Sequence, residues 1–329
     1  MHRFPRRARA LLLTLCLLAA PSSACASAKT TPLPAPQSDS AVASTPHPFF
    51  PPLTPEGFMS KGEYVRSDAE KGFWLYATPT LRVEILRKTD PAIPMTWYEA
   101  DVWCTPDEPL YMAANSDSWT TLSYGAPEDI AKRVHAPFAI SADYYPYRIN
   151  RDLPVGIVIR GGHVVSSTTL RDGTSRFPNL DTMAILPDGS LKVYRNNELT
   201  AKEYLDMGAR DVLCFGPLLV RDGQASPTLG DRKSTPQPRL ALGMVEPGHY
   251  VSILVEGRIE NSEGTYLPVL ADMMLQKGCT EALNLDGGQT AVMLFMGEAV
   301  NRIGSYAGGK TSPRDASELL IIGRTGRQR

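Results

Sequence analysis

The sequence predicts an α+β fold in which a mostly antiparallel sheet packs against a few helices within a single main domain. Stretches enriched in β-branched residues recur along the chain, such as LRVEILRK at residues 81–88, and this enrichment is typical of strands. Later stretches fold back on short glycine-containing turns at residues 161–162, 188–189 and 247–248, which indicates hairpins. Hairpins at short spacing favour antiparallel pairing.

Three helical segments interrupt these strands, at residues 126–134, 200–209 and 267–278. The third has the clearest signals, because Pro268 suits a first helical turn and Gly278 suits the position after the last one. Between them, apolar residues recur at the spacing of one helix face. The sequence therefore predicts three helices packed on the sheet.

Each helical segment leads at once into a short apolar strand, and each of these strands ends in polar or glycine-rich residues. The ends lie at residues 141–143, 216–217 and 286–288. If the three helix–strand units pack alike, we expect their ends to meet along one edge of the sheet.

The composition is that of an ordinary globular protein and disfavours a nucleic-acid partner. The chain has 329 residues, of which 43% are hydrophobic and 21% are charged, and its formal net charge is -1. A nearly neutral chain provides no strong field to attract a polyanion. The length suits one large domain with appendages.

The first 28 residues have the layout of a signal peptide and predict export. A basic start precedes an apolar run at residues 10–20 and small residues at 26–28, which is the order of a secretory signal. The run is about half of the roughly 20 residues that span a bilayer. We expect cleavage after Ala28 and an extracellular or envelope-attached protein. An uncleaved anchor and lipidation at Cys25, within SSAC, are the alternative membrane attachments.

Residues 29–56 are rich in Pro, Ser and Thr and predict an unfolded linker, because proline discourages both helices and sheets. The folded part that follows contains Cys104, Cys214 and Cys279. Each of these cysteines lies in or beside an apolar run, which favours buried thiols over disulfides. Their spacing matches no zinc motif.

The run EALNLDGGQTAVMLF, at residues 281–295, is the segment most informative about function. Two apolar stretches flank Asp286, Gly287 and Gly288, and an Asp-Gly pair in this context is a strong hairpin signal. The alternative is a strand end that presents a carboxylate beside glycines, where a substrate can approach the backbone. The pattern by itself leaves both interpretations open.

This run and three upstream segments resemble the phosphodiester glycosidase family. A helix with a Leu-Ala pair leads into Asn-Leu-Asp-Gly-Gly at residues 284–288, and RLALG at residues 239–243 matches the family's Arg-x-Ala-Leu-Gly strand. FGPLLVRDGQ at residues 215–224 and PVGIVIRGGHVV at residues 154–165 are similar to two further family segments, in the expected order. The resemblance covers roughly residues 137–323.

The resemblance implies a phosphodiester glycosidase-like domain at residues 137–326, preceded by a strand-rich part at residues 57–136. Two departures stand out. The family's Asn-Gly-Gly-Phe-Phe segment is replaced by SADYY at residues 141–145, and Gln289 follows the Asp-Gly-Gly motif where the family has glycine. The fold follows from the resemblance, whereas the substrate is left open.

The activity that the resemblance implies is hydrolysis of a sugar-1-phosphate diester in an envelope or extracellular glycan. Cleavage at the anomeric carbon requires a carboxylate for the developing oxocarbenium ion and a cation for the departing phosphate. Asp286 is the first candidate for the catalytic carboxylate and Asp143 is the second. Arg239 and Arg258 are the phosphate candidates, because a guanidinium fork matches phosphate oxygens. The remaining substrate-binding candidates are Asn284, Gly287, Gly288 and Thr290.

Two alternatives of other classes remain. One is a non-catalytic envelope protein that binds a carbohydrate or glycophosphate in the same cleft, and the other is a transferase in exopolysaccharide assembly. No histidine lies in a metal or triad pattern and no phosphate-binding glycine loop is present, so no cofactor is evident. A divalent cation held by Asp286 and backbone carbonyls stays open.

Overall fold

The computed structural model describes residues 52–90, 92–118, 121–142, 156–168, 180–229, 235–305 and 309–324. All of them belong to the second of two compact units into which the chain divides, Pro51–Arg329. The signal segment, most of the linker and the candidate Asp143 lie outside the described residues. The prediction of a single main domain stays a prediction.

Within these ranges the structure contains short strands, three α-helices and one 3-10 turn at Gly288–Thr290. The helices are α1 (Pro127–Arg133), α2 (Ala201–Asp206) and α3 (Leu267–Gln276). The strands are β1 (Tyr64–Asp68), β2 (Phe73–Ala77), β3 (Leu81–Asp90), β4 (Met95–Cys104), β5 (Leu110–Ala114), β6 (Phe138–Ser141), β7 (Gly156–Arg160), β8 (His163–Thr168), β9 (Asp181–Ile185), β10 (Leu191–Tyr194), β11 (Asp211–Phe215), β12 (Leu218–Arg221), β13 (Gln224–Ala225), β14 (Arg239–Glu246), β15 (His249–Val255), β16 (Glu281–Leu285), β17 (Met293–Phe295), β18 (Glu298–Ala299) and β19 (Glu318–Ile322).

The described strands form three sheets in which every recorded strand pairing is antiparallel. The largest sheet has the order β1-β2-β3-β4-β15-β14-β16-β12-β13. The second has the order β10-β9-β11-β7-β8 and the third the order β18-β17-β6-β19-β5. The hairpins predicted at residues 161–162, 188–189 and 247–248 join β7 to β8, β9 to β10 and β14 to β15. A mostly antiparallel α+β fold is therefore confirmed.

The three sheets enclose one central core, and each has a helix on its outer face. The central cluster includes Leu242 from the nine-stranded sheet, Met183 from the second sheet and Leu320 from the third. Separate apolar clusters lie beneath α3, α1 and α2, on the outer faces of the first, third and second sheets respectively. The strands beneath these helices therefore bury both of their faces, which explains why β6, β9, β16 and β19 are buried at consecutive positions.

The strand that follows each helix lies in a different sheet, which corrects the expectation of one shared edge. These strands are β6, β11 and β16. Their ends nevertheless come together, because the Gly216 N–H donates to the Asn284 carbonyl at 2.9 Å and the Ser141 N–H donates to the Val292 carbonyl at 3.1 Å. The end of β11 therefore lies beside β16, and the end of β6 lies beside the chain just beyond the Asp286 loop.

The two apolar halves of residues 281–295 do not form a hairpin. The first half, β16, pairs with β14 and β12 in the nine-stranded sheet, whereas the second half, β17, pairs with β6 in the third sheet. Asp286 and the glycines therefore carry the chain from one sheet to another. This geometry excludes the simple Asp-Gly turn.

The N-terminal part of the folded region extends these sheets. Strands β1 to β4 form one side of the nine-stranded sheet, and β4 pairs with β15. Strand β5 pairs with β19 in the third sheet. Cys104, Cys214 and Cys279 are free thiols, and burial raises the pKa of Cys104 and of Cys279 to about 12. None of the described helices has the length and apolar character to cross a membrane.

A group of buried charges joins the second sheet to the third. The Arg160 Nε and the Glu318 Oε2 approach to 2.8 Å with both side chains 1% exposed, although the N–H direction departs from hydrogen-bond geometry. Asp211 lies close to Arg160 and accepts a hydrogen bond from the Gly161 N–H at 2.8 Å. Burial raises the pKa of Asp211 to about 6, against the opposing effect of the Gly161 and Met112 N–H groups and nearby arginines.

This pKa predicts a pH dependence of stability that Asp211→Asn removes. An Asp with a raised folded-state pKa is more readily ionised in the unfolded chain, so native stability falls as the pH rises from about 4 to about 6. The free energy of unfolding of the variant, relative to the unmodified chain, should therefore increase by up to about 3 kcal/mol over that interval. Urea denaturation at pH 4, 5, 6 and 7 measures this difference. Parallel pH profiles would contradict the assigned cause.

Candidate active site

The antiparallel register of the nine-stranded sheet places Asp286 and Arg239 at the same end. Arg239 is the first residue of β14 and pairs with Val255, the last residue of β15. Both lie at the open end of the β14–β15 hairpin, opposite its turn. Leu285, the last residue of β16, pairs with Leu240. Asp286 follows directly and is 8% exposed. The carboxylate and the guanidinium therefore share the end of neighbouring strands.

Arg239 lies in an electropositive and partly desolvated environment. Burial and, to a smaller extent, the charge of Arg258 lower the pKa of Arg239 to about 10, whereas Asp286 acts in the opposite direction. The side chain therefore keeps its positive charge at neutral pH. Its Nε is buried without a hydrogen-bond partner among the described residues. A buried donor of this kind is costly unless an acceptor, such as a ligand oxygen, satisfies it.

Arg258 is held in a strained conformation beside Arg239. Its φ is 59°, in the left-handed region that costs a non-glycine residue about 1–3 kcal/mol. The side chain is fixed by Gln237, whose Oε1 accepts hydrogen bonds from Nε of Arg258 at 2.8 Å and from its Nη2. A Cβ added to the preceding residue, Gly257, would lie 2.7 Å from the Pro238 nitrogen. The close packing of the Gly257 backbone against Pro238 therefore fixes the position of the adjacent Arg258 backbone.

Gly287 and Gly288 are required by the packing of the chain itself. A Cβ on Gly287 would lie 2.5 Å from the Pro238 carbonyl oxygen, and one on Gly288 would lie 3.0 Å from Nη1 of Arg258. The Gly288 N–H donates to the same Pro238 carbonyl at 3.0 Å. The two glycines thus let the loop after β16 close against Pro238 and let the Arg258 guanidinium lie on the backbone. Their contact with substrate stays a prediction.

Asn284 is fully buried and forms hydrogen bonds to Gly216, the residue that follows β11. Its Nδ2 donates to the Gly216 carbonyl at 2.8 Å, while its own main-chain carbonyl accepts from the Gly216 N–H. Its Oδ1 is buried without a hydrogen-bond partner among the described residues. The side chain therefore positions residues 216–217 beside the site, and its contact with a sugar stays a prediction.

Thr290 and Gln289 connect the loop after β16 to a later segment of the chain. The Thr290 hydroxyl is buried and accepts from Nη1 of Arg314 at 3.5 Å. The Gln289 side chain donates from Nε2 to the carbonyls of Lys310 and Ser312 at 3.0 and 2.9 Å. Gln289 therefore joins residues 310–312 to the loop that carries Asp286.

The described part of the SADYY segment consists of Ser141 and Ala142, both of which are buried. The Ser141 hydroxyl accepts from the Val292 N–H at 3.2 Å, so the end of β6 lies against the chain just beyond the Asp286 loop. The second carboxylate candidate, Asp143, lies outside the described residues, and its catalytic role stays a prediction.

Two further residues at this site are absent from the set that the sequence suggested. Gln237 orients Arg258, and Arg314 contacts Thr290. Gln237 lies two positions before Arg239 in PQPR, a proximity that is the only sequence signal for it. Arg314 lies 28 residues after Asp286 by their residue numbers, with no motif that relates the two.

Comparison with known proteins identifies the family of this chain. The phosphodiester glycosidase (NAGPA) family profile matches residues 135–322, which is more than half of the chain. The chain belongs to the phosphodiester glycosidase family. The matched interval includes the arginines, Asn284, the Asp-Gly-Gly motif and Arg314.

One curated relative of this family member is the SPbeta prophage-derived protein YomE of Bacillus subtilis (strain 168). It is 26% identical over 254 residues, which are 76% of this chain and 37% of the relative. The chain thus spans little more than a third of the relative's length.

Two solved structures share the fold. The zebrafish N-acetylglucosamine-1-phosphodiester alpha-N-acetylglucosaminidase catalytic domain, auto-inhibited by its pro-peptide, has a TM-score of 0.58 at 17% identity and covers 81% of this chain and 89% of its own. A hypothetical protein from Synechocystis has a TM-score of 0.50 at 12% identity and covers 81% of this chain and 72% of its own. At these identities the similarity establishes the fold.

A cavity of this phosphodiester glycosidase family member lies away from these residues. It has a volume of about 1200 Å³ and is lined by residues 104–111, the turns at Gly189 and Gly248, and Arg210. The Gly248 turn closes the β14–β15 hairpin, so the cavity lies at the opposite end of strands that extend roughly 25 Å from Arg239. It does not include Asp286 or Arg239.

The charges at the Asp286 end are suited to an anion. The Arg258 guanidinium lies close enough to Arg239 to lower the pKa of Arg239, and the Asp286 carboxylate offsets part of that effect. Guanidinium pairs of this kind bind the oxygens of phosphate through charge-assisted hydrogen bonds. Among the described residues, no group of three or more His, Cys, Asp and Glu side chains is arranged to hold a metal ion.

We therefore predict that inorganic phosphate binds at Arg239 and Arg258 and raises the melting temperature of the protein. A ligand at 100 times its Kd stabilises the native state by about 2.7 kcal/mol. Arg239→Gln and Arg258→Gln should each weaken phosphate binding at least tenfold, because each removes charge-assisted hydrogen bonds. Thermal unfolding in phosphate and in chloride at equal ionic strength measures the effect.

Arg221→Gln is the matched control, because the Arg221 guanidinium forms an ion pair with Glu198 on the partly exposed surface. It should retain the full phosphate response. If all three variants respond to phosphate as the unmodified chain does, the stabilisation is a general salt effect and the assigned site is wrong.

Proposed function

We propose that this protein is an exported hydrolase that cleaves the glycosyl phosphodiester bond of an envelope or extracellular glycan. The observation that supports this most directly is the juxtaposition of Arg239 and Arg258 with Asp286 at one strand end. Membership of the phosphodiester glycosidase family gives the reaction class, and the arrangement of charges supplies the groups that such a reaction requires.

In the proposed reaction, the two arginines bind the phosphodiester. Its non-bridging oxygens accept hydrogen bonds from the N–H groups of Arg239 and Arg258. One of these oxygens provides the acceptor that the buried Nε of Arg239 lacks among the described residues. The bond from the anomeric carbon to the bridging oxygen breaks, and its electron pair leaves with the phosphate monoester. The developing negative charge on that leaving group is stabilised by the two cations.

Asp286 is proposed to act on the sugar side of the same bond. A carboxylate stabilises the positive charge that develops at the anomeric carbon, and it can accept the proton of the attacking water. The water oxygen then bonds to the anomeric carbon, and the products are a free sugar and a phosphate monoester. Because phosphate is a good leaving group, a strong general acid is not needed for bond cleavage.

The remaining candidates are proposed to fix this geometry. Gly287 and Gly288 close the Asp286 loop against Pro238 and Arg258, and Thr290 joins it to Arg314. Asp143, two residues beyond Ser141, is proposed as a second carboxylate, because Ser141 lies beside Val292 near the same loop. Export through the N-terminal signal, with lipidation at Cys25 as the alternative attachment, is part of the proposal and is supported by the sequence.

A second candidate function is binding of a glycophosphate without cleavage. The low exposure of Asp286, at 8%, favours this function, because a catalytic carboxylate must reach the anomeric carbon. The hydrogen bonds that hold Arg258 to Gln237 are equally suited to a rigid binding site. Only a measurement of turnover separates the two functions.

The test is release of free sugar from a panel of sugar-1-phosphate methyl diesters by the full chain. We expect Asp286→Asn to lower kcat by about 100- to 10,000-fold, as removal of a catalytic acid–base group does. Asp272→Asn, which changes an exposed carboxylate on α3, should leave kcat unchanged. Enzymatic assay of the released sugar measures both.

Equal sugar release by the Asp286→Asn chain would refute the role of Asp286. Binding of a diester by the unmodified chain without any release would favour the binding protein. Recovery of the sugar on an added sugar acceptor, instead of in free form, would identify a transferase.

A further inference from the structure

We propose that Gln237 is a positioning residue for cleavage of the diester, and that it holds the Arg258 guanidinium at the site without neutralising its charge. This inference rests on the proposed function, in which Arg258 binds the phosphodiester. It deepens that function, because it assigns part of the selectivity of the site for an anion to the neutral amide of Gln237.

The side-chain amide of Gln237 has a partner at each end. Its Oε1 accepts hydrogen bonds from Nε of Arg258 at 2.8 Å and from Nη2 of the same residue. Its Nε2 donates to the Thr235 hydroxyl at 2.7 Å. Because a guanidinium has donors and no acceptor, the oxygen of the amide must face Arg258 and the nitrogen must face Thr235. The two partners therefore fix one orientation of the Gln237 amide.

The main chain of Gln237 is paired with Thr265. The Gln237 N–H donates to the Thr265 carbonyl at 3.2 Å, and the Gln237 carbonyl accepts from the Thr265 N–H at 2.9 Å. Gly264 has a φ of 115°, and a Cβ on it would lie 2.5 Å from the Gln237 carbonyl oxygen. The position from which the Gln237 side chain extends is therefore set by close contact of two backbones.

The left-handed φ of Arg258, 59°, makes such support necessary. A residue strained in this way keeps its conformation only when its surroundings determine it. The hydrogen bonds to Gln237 and the packing of Gly257 against Pro238 are contacts of this kind. Loss of the Gln237 acceptor should therefore let the guanidinium move from its position near Arg239.

The acceptor that Gln237 provides is neutral, unlike a carboxylate that lies close by in the chain. Glu256 is two residues before Arg258, but its carboxylate accepts from Nε and Nη2 of Arg302 at 3.1 and 2.8 Å and from the Tyr98 hydroxyl at 3.1 Å. A carboxylate at position 237 would hold a guanidinium at least as strongly as the amide does, but its charge would repel a phosphate. Gln237 therefore contributes orientation without a negative charge.

This neutrality matters most while the bond is breaking. The phosphodiester has one negative charge, whereas the departing phosphate monoester has two once the bridging oxygen takes the electron pair of the broken bond. Positive charge at the site therefore stabilises the transition state more than it stabilises the bound substrate, which lowers the barrier. A negative charge introduced at position 237 should accordingly lower kcat as well as weaken binding.

The test measures the Kd of the full chain for inorganic phosphate by titration calorimetry at pH 7. Gln237→Met removes the acceptor at similar side-chain length and should weaken binding about three- to tenfold, the usual effect of one net hydrogen bond. Gln237→Glu keeps the acceptor and adds a charge, and it should weaken binding at least about thirtyfold, because like charges then face each other. Gln276→Glu adds the same charge at an exposed position on α3 and should leave the Kd unchanged.

The order of the two variants decides the inference. If Gln237→Glu binds phosphate more tightly than Gln237→Met, the neutrality of the acceptor has no role. If Gln237→Met binds phosphate as the unmodified chain does, Gln237 does not position Arg258. Thermal unfolding in chloride provides the structural control, because Gln237→Glu should keep the melting temperature of the unmodified chain while it loses phosphate affinity. Loss of the native fold in that variant would contradict the inference, since its carboxylate retains the hydrogen bonds to Arg258.

Failure of this inference can be distinguished from failure of the proposed function. If the unmodified chain releases sugar from the methyl diesters and both Gln237 variants retain its kcat and its Kd for phosphate, the role of Gln237 is wrong and the hydrolase proposal stands. If the unmodified chain binds phosphate without releasing sugar, the hydrolase proposal fails, and the Kd values of the variants still test Gln237. An unmodified chain that does not bind phosphate contradicts both.

Discussion

The site depends on the close contact of two backbones at the end of the nine-stranded sheet. The Pro238 carbonyl accepts the Gly288 N–H at 3.0 Å, and the space beside that carbonyl is too small for a Cβ on Gly287. This contact joins the start of β14 to the loop after β16. Since Arg239 begins β14 and Asp286 begins the loop, the same hydrogen bond fixes the distance between cation and carboxylate. Side chains larger than glycine would push the two apart.

The electrostatics of the site follow from that contact. Two guanidinium groups brought together by backbone packing repel one another, and burial makes the repulsion stronger because water no longer screens it. Asp286 offsets part of this charge. The chain also tolerates a left-handed φ at Arg258, so the fold maintains both backbone strain and charge repulsion at one place. Such costs are typical of functional sites, where an anionic ligand relieves them.

Local signals predicted three hairpins and three helices, whereas the resemblance supplied the candidate site residues, whose roles stay predictions. Short glycine turns between β-branched stretches predicted three hairpins, and the helix that ends at Gln276 was predicted from Pro268 and Gly278. The expectation of one sheet was wrong because strand patterns show which residues are buried, not which sheet buries them. Gln237 and Arg314 were missed for a related reason, since each acts on a partner that is distant along the chain or outside any motif.

The sequence by itself determined the α+β class, the hairpins, the three helices and the identity of Asp286 and Arg239 as candidates, because each depends on neighbouring residues or on a short motif. The tertiary structure decided that the two halves of residues 281–295 belong to different sheets and that Gln289 reaches Lys310 and Ser312. It also decided that the glycines serve the packing of the Asp286 loop. These features are contacts between distant segments, and only the packing of three sheets around one core sets which segments meet.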